Sequence, residues 1–208
     1  ELKPADEWQA VGRRPQIVSY IGGVGPHRGL GTAIKGFARA HASNRELSLR
    51  IVGVRTERDV RSLRAEIDRL GVSDAVELVP WVASEEVSRL IAESWVCLVP
   101  HGDFEHTQTT VPHKLFQYML CGRPVLVSDC RPLARILRET ESGVVFRADD
   151  PVSFAERLLW MSRNNKAVAE MGRRGRAAAS STHSWRHDEE RLVGLYAALG
   201  RQDKGLWR

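Results

Sequence analysis

Thr109–Asp129, TTVPHKLFQYMLCGRPVLVSD, couples a helix to a strand through a glycine. Thr110 is placed to cap the helix and Pro112 to occupy its first turn, where the fixed φ and missing N–H of proline are tolerated. Phe116, Tyr118 and Met119 read as packing residues of that helix, which runs to Cys121. After Gly122 the run PVLVSD has the apolar, β-branched character of a buried strand. Lys114 stands out, because a cation in the first turn of a helix opposes the helix dipole unless an anion lies nearby.

The same alternation extends in both directions. Gln16–Gly22 is a short strand ending at glycines, and GVGPHRGLG is a loop. From Leu30 to Ala42, Ile34, Phe37, Ala38 and His41 recur at helical spacing, and Leu47–Val54 is the next strand. A charged helix from Glu57 to Leu70, a strand from Ala75, a helix from Ser84 to Glu93 with Ser84 as its N-cap, and a strand from Trp95 follow. Beyond Asp129 come a short helix from Pro132, a strand from Gly143, a helix through Trp160 capped by Asp149-Asp150-Pro151, and a last helix from Trp185 to Leu199. Strands separated by helices need parallel crossovers, so the fold class is α/β: a Rossmann-like, doubly wound parallel sheet of about six strands with flanking helices. Residues 1–14 read as a linker or the end of a preceding domain, 15–182 as the Rossmann-like domain, and 183–208 as a C-terminal helix and tail.

At 208 residues and 42% hydrophobic content the chain suits one well-filled domain. No stretch reaches the roughly 18–20 apolar residues of a membrane-spanning helix, and the start lacks the layout of a signal peptide. Cys97, Cys121 and Cys130 are too few, and odd in number, for a disulfide framework. A cytoplasmic location is expected, which includes the inner membrane surface. The formal charge of +5 raises a nucleic-acid partner, but Arg58, Arg61, Arg64 and Arg69 alternate with Glu57, Asp59, Glu66 and Asp68 as on a solvated helix face, and no nucleic-acid partner is expected. The chain opens on Glu rather than Met and reads as a fragment or processed product.

In an open parallel sheet ligands sit beyond the carboxyl ends of the strands, which directs attention to three loops. Gly22–Gly29 is not a dinucleotide fingerprint: after Gly23 and Gly25 the third glycine position holds Arg28, and no acid closes the second strand, so NAD is disfavoured. Its glycines still let backbone approach a ligand, and Arg28 at the mouth of a helix can pair with phosphate oxygens. The polar stretch His101–Pro112 leads directly into a helix, so the free N–H groups of Thr110 and Val111 and the positive end of the dipole make an anion site. Pro80 and Trp81 follow the third strand, where Trp81 either flanks a base or packs beneath its loop. His101, His106 and His113, with Asp103, Glu105 and Cys97, raise a metal, but their spacing matches no helix-borne pair or zinc ribbon, and no metal is expected.

Lys114–Asp129, KLFQYMLCGRPVLVSD, resembles the signature helix and strand of the C-terminal domain of glycosyltransferase family 4, in which two Rossmann-like domains face each other in the GT-B architecture. Lys114, Leu115, Phe116, Tyr118, Met119, Gly122, Pro124 and Val125 match a common variant of that motif. YIGGVGPHRG, LRIVGV, VELVPWV, CLVPH and SGVVFRADDP follow the family's order and spacing. The resemblance implies transfer of a sugar from a nucleotide diphosphate sugar, of UDP or GDP type, with retained configuration and no essential metal or cofactor. It implies a saccharide, lipid-linked or small-molecule acceptor, a missing N-terminal acceptor domain, inactivity of this chain alone, and peripheral membrane association through the full-length enzyme.

By the same resemblance Arg28 takes the place of a Lys that neutralises the leaving diphosphate and is the expected catalytic residue. Gly22, Gly23, Pro80, Trp81, Thr109, Thr110, Val111, His113, Lys114 and Gln117 are the expected donor-binding positions. Gly23 stands where the family often carries a second Arg. Gln117 stands where a Glu usually holds the ribose hydroxyls, and Thr109 falls at the earlier Glu, with Glu105 or His106 as its replacements. Those losses of charge leave open a non-catalytic nucleotide-sugar-binding or assembly module, beside a phosphate-binding regulatory α/β domain unrelated to sugars.

Overall fold

The computed structural model describes residues 16–183 and 185–202. The linker expected at residues 1–14 lies outside them.

Gln16–Ile21 (β1), Leu47–Val54 (β2), Val76–Pro80 (β3), Val96–Val99 (β4), Val125–Ser128 (β5) and Gly143–Phe146 (β6) form one sheet, parallel throughout, in the order β3-β2-β1-β4-β5-β6. The helices are Leu30–Ser43 (α1), Glu57–Arg69 (α2), Ser84–Glu93 (α3), His113–Leu120 (α4), Arg131–Thr140 (α5), Pro151–Arg163 (α6), Asn165–Ser181 (α7) and Trp185–Gln202 (α8). The expected α/β class and parallel sheet are what the chain adopts. No helix among the described residues is long and apolar enough to cross a membrane.

Alternation along the strands builds two cores, one per face. Val18, Tyr20, Leu47, Leu49, Ile51, Val96, Leu98 and Leu126 point to the side covered by α1, α2 and α6, where they meet Ile34, Phe37, Ile67, Phe154 and Leu158. Ile21, Val52, Cys97, Val99, Val125 and Val127 point to the other side and meet Ile91 of α3, Leu115 and Met119 of α4, and Leu133 and Ile136 of α5. Strands buried on both faces have to read as near-continuous apolar runs, which is why VCLV and VLVS carry no polar alternation until Ser128.

Several local expectations need correcting. The N-cap of α3 is Ala83, and Ser84 is its first residue, donating its hydroxyl to Glu85 instead of accepting from the helix. At α4 the cap position is Pro112 with no side-chain cap, while the Thr110 hydroxyl donates to the His106 carbonyl at 2.8 Å. Asp150 does cap α6, accepting from the N–H groups of Val152 and Ser153, with Pro151 in the first turn. Helix α7 was not anticipated, because two glycines interrupt its sequence at Gly172 and Gly175. Packing explains them: a Cβ at Gly172 would lie 2.3 Å from the Gly122 carbonyl oxygen, so glycine is what lets α7 close on the end of α4. The Arg-rich face of α2 is solvent-exposed as expected, with Arg61–Glu57 and Arg69–Glu66 pairs that add little stability.

Candidate functional site

Strand order reverses between β1 and β4, and there the sheet opens. β1 pairs with β2 from Gln16 to Ile21, but with β4 only through Val18 and Ser19. Ile21 is therefore left with backbone groups that β4 does not reach. Tyr118 of α4 takes them: its buried hydroxyl accepts from the Ile21 N–H at 2.9 Å and donates to the Ile21 carbonyl at 3.0 Å. Burial pushes this phenol well above its usual value, so it stays a donor. Tyr118 is a packing residue, as its sequence position suggested, and also the pin that holds α4 across the mouth of the crevice.

The loops after β1 and β4 meet directly. Pro26–Arg28 is a short 3-10 turn rather than open loop, and the Gly102 N–H donates to the His27 carbonyl at 3.1 Å. Arg28 Nη1 lies 3.3 Å from His101 Nε2. A guanidinium can only donate, so Nε2 accepts and the ring proton resides on Nδ1. That Nδ1 is buried and has no hydrogen-bond partner among the described residues. Burial, then the charges of Lys114, Arg28, His27 and His106, push the His101 imidazole down to about 3, so it is neutral at physiological pH.

Lys114 reaches the same place from the first turn of α4. Its Nζ is buried, unpartnered among the described residues, and 3.8 Å above the centre of the Tyr20 ring. It lies against Gly22, where a Cβ would fall 2.4 Å from Nζ. Tyr20 donates its hydroxyl to the Gly23 carbonyl at 2.7 Å, tying the glycine turn over the ring. Burial, reinforced by the Arg28 guanidinium, pushes the Lys114 amine down to about 7. The His27 imidazole is lowered by burial and by Arg28, His106 and Lys114, and its ring meets that of His106 edge-on at 5.9 Å. Arg28, Lys114, His27, His101 and His106 thus sit together, and no carboxylate is among the groups that perturb Lys114, His27 or His101.

An unpaired buried cation costs stability. Lys114→Met, which keeps the length and removes the charge, is expected to raise the protein's stability at pH 6 by about 1–3 kcal/mol, or roughly 2–12 °C in Tm. The sign follows from linkage. The folded value near 7 lies below the unfolded 10.5, so the unfolded state binds more protons between them and wild-type stability rises with pH through that window. The advantage of the variant should shrink accordingly as pH rises toward 10.5. Thermal unfolding at pH 6 and pH 10 checks both points.

The remaining candidates divide. Thr109 and Thr110 use their hydroxyls on the carbonyls of Glu105 and His106, so they stitch the loop, and only their backbone is available to a ligand. Val111 is half-buried against the core, His113 is exposed, and Gln117 is half-buried three residues beyond Lys114. Of the two replacements considered for Thr109, His106 enters the cationic cluster. Gly23 is exposed at the turn.

The stretch His101–Pro112 is not an unstructured loop. The buried Thr107 hydroxyl donates to the Gly102 and Phe104 carbonyls, Gln108 bridges Asp103 and the Arg131 N–H, and Asp149 accepts from the Asp103 N–H. Sequence reasoning missed the Gln108–Arg131 and Asp103–Asp149 contacts because their partners lie in other segments of the chain. Pro80 and Trp81 are exposed, so Trp81 is not packed beneath its loop; instead the Arg55 guanidinium lies 3.5 Å over its ring. Arg55 was also missed, although it directly follows β2, the neighbour of β3 in the sheet. Among the described residues no group of His, Cys, Asp and Glu side chains is placed to hold a metal.

Known proteins share this fold. The D-inositol 3-phosphate glycosyltransferase of Acidothermus cellulolyticus is 27% identical over 191 residues, covering 86% of this chain and 40% of that one. Anabaena HepE in complex with UDP superimposes with a TM-score of 0.78 at 16% identity, over 88% of this chain and 49% of that one. Sucrose-phosphate synthase from Thermosynechococcus elongatus gives 0.78 at 20% identity, over 96% and 47%. The C-terminal domain of a group 1 glycosyl transferase, LpcC from Francisella tularensis, gives 0.71 at 12% identity, over 88% and 99%. The chain therefore spans 40% of its curated relative and about half of the two longer solved chains. Residues 15–164 match the family model of glycosyl transferases group 1, and the chain belongs to that family.

Proposed function

We propose that this chain is the donor-binding half of a retaining, family 4 glycosyltransferase that moves a hexosyl-type sugar from a UDP- or GDP-sugar to an acceptor. One observation carries the reading: at the switch point of the sheet, Arg28, Lys114 and the His101 imidazole sit together, with the Lys114 Nζ and the His101 Nδ1 buried and unsatisfied among the described residues and no carboxylate among the groups that perturb them. Such a cluster is complementary to an anion of more than one charge, and a diphosphate is such an anion. The UDP held by a structurally similar protein, HepE, supports the same chemistry.

In this reading Arg28 and Lys114 grip the diphosphate and offset the charge that collects on it as the bond from the anomeric carbon to phosphate oxygen breaks. The N–H groups at the start of α4 and the His101 Nδ1–H add neutral donors. Gln117 serves the ribose hydroxyls, and Trp81, with Arg55 over its ring, flanks the base. The acceptor, whether saccharide, lipid-linked or small, is bound mostly by a facing N-terminal domain, so this chain alone binds donor without turning it over. No metal or cofactor is assigned a role. A cytoplasmic enzyme with peripheral membrane association fits this assignment.

Calorimetric titration with UDP, GDP, ADP and their sugars tests the proposal. Binding of at least one diphosphate is expected, and absence of binding to any of them refutes it. Binding together with an inactive full-length protein would favour the non-catalytic module that the neutral Gln117 raises. Trp81→Ala should weaken nucleotide and free nucleoside alike, by about 1–2 kcal/mol, since it removes a stacking surface and no phosphate contact. Selective loss for the diphosphate in that variant would remove Trp81 from the base.

A further inference from the structure

The neighbours of Lys114 leave its ammonium without a counterion. From β1 the Tyr20 ring lies beneath it, and that hydroxyl is already donated to the Gly23 carbonyl. From the turn after β1 come Gly22, His27 and Arg28; from the segment after β4 comes His101; from the loop before α4 comes His106. On its own helix, the Tyr118 hydroxyl is committed to Ile21, His113 is exposed, and Gln117 is neutral. None of these groups is an anion. Residues three apart on a helix are neighbours, so a carboxylate at position 117 could offer Lys114 a counterion in the empty site. An amide cannot.

We propose that Lys114 takes up a proton as a nucleotide diphosphate sugar binds, the ligand supplying the counterion that the fold withholds. This rests on the donor-site reading above. The proton comes from solvent or buffer acid onto the Nζ lone pair, and the resulting ammonium faces the diphosphate oxygens. A guanidinium cannot be deprotonated in a protein, so the empty site avoids holding a second cation beside Arg28 and the loaded site uses both. The depressed amine of the empty site, near 7, agrees with this geometry. Affinity is then coupled to pH: it is fully developed below about 7 and falls about tenfold per unit above it, until the bound amine itself titrates.

UDP-glucose and GDP-mannose are suitable probes, because a sugar diphosphate has no phosphate proton to exchange near neutrality. Each is titrated into this chain at pH 6 and pH 8 in HEPES and in Tris, buffers of different ionisation enthalpy. The expected result is uptake of about 0.9 proton per bound donor at pH 8 and about 0.1 at pH 6. Lys114→Met should abolish uptake while leaving weaker, pH-independent binding through Arg28, and Gln117→Glu should reduce uptake at pH 8. Donor binding whose enthalpy is the same in both buffers overturns proton uptake but leaves the donor site standing. Uptake that persists in Lys114→Met places the proton on another group and overturns the role of Lys114. Failure of both sugar nucleotides to bind overturns the donor-site reading, and this inference with it.

Discussion

Arg28→Ala is expected to weaken binding of a nucleoside diphosphate by roughly 30- to 1000-fold, about 2–4 kcal/mol, while leaving the free nucleoside within about twofold. The asymmetry follows from where the side chain sits. Arg28 ends a 3-10 turn at the opening between β1 and β4, and its Nη1 is oriented by His101 Nε2 at 3.3 Å. Its removal takes away a fixed cation and frees the orienting imidazole, so the phosphates lose a charge-assisted partner and an ordered donor together. On the proposed placement the base lies near Trp81, on the far side of β2 from Arg28, and loses nothing. In the full-length enzyme the loss in kcat/KM should exceed the loss in donor affinity, because charge on the leaving diphosphate is greatest in the transition state.

Arg28→Lys discriminates further. A lysine keeps the charge but offers no planar fork, so it cannot hold the His101 ring and a phosphate oxygen at once in the same geometry. An intermediate loss is expected. Equal losses of nucleoside and diphosphate in Arg28→Ala, measured by calorimetry, would contradict the assigned role. The variant should fold normally, since Arg28 is only half-buried and packs no core.

Much of the sheet could be read from the chain because its strands are buried on both faces. QIVSYI, LSLRIVGV, VCLV and VLVS are apolar runs that glycines, prolines and charged helices punctuate, and those signals are local. The cap at Asp150 is local too, and it held. What local pattern could not supply was any residue whose reason lies elsewhere in the fold. Gly172 lowers helix propensity in isolation, yet it is helical because Gly122 lies against it. Thr110 has the right chemistry for a cap, but its hydroxyl finds the His106 carbonyl inside a loop that turns on itself.

The site follows the same division. Arg28 and Lys114 were conspicuous as cations beside helix starts, and the structure brings them into one cluster. The imidazole that orients Arg28, the ring under Lys114 and the guanidinium over Trp81 each come from a different strand end. Only the strand order places those ends together. A sequence that names helices and strands correctly still leaves that order open, and with it the partners.

Gly29→Ala is expected to be the most damaging single-methyl substitution in this region, costing more than about 4 kcal/mol and lowering Tm by more than roughly 8 °C. Gly29 has φ 66 and ψ 21, a left-handed conformation, while linking the 3-10 turn to α1. An alanine there meets the left-handed penalty of about 1–2 kcal/mol, which a protein can absorb. The larger obstacle is the backbone beyond β4. The new Cβ would fall 1.6 Å from the Pro100 carbonyl oxygen, 2.8 Å from its carbon and 3.3 Å from the Gly102 nitrogen. No rotamer change relieves a clash with backbone, so either the Gly102–His27 hydrogen bond breaks or α1 shifts on the sheet. Gly31→Ala provides the control two residues away. It lies inside α1, its Cβ meets nothing within 4 Å, and alanine there should stabilise by about 0.5–1 kcal/mol. Thermal unfolding of the two variants should therefore move in opposite directions. If Gly29→Ala instead unfolds within about 2 °C of wild type, the close apposition of the two loops is wrong, and the Arg28–His101 contact is wrong with it.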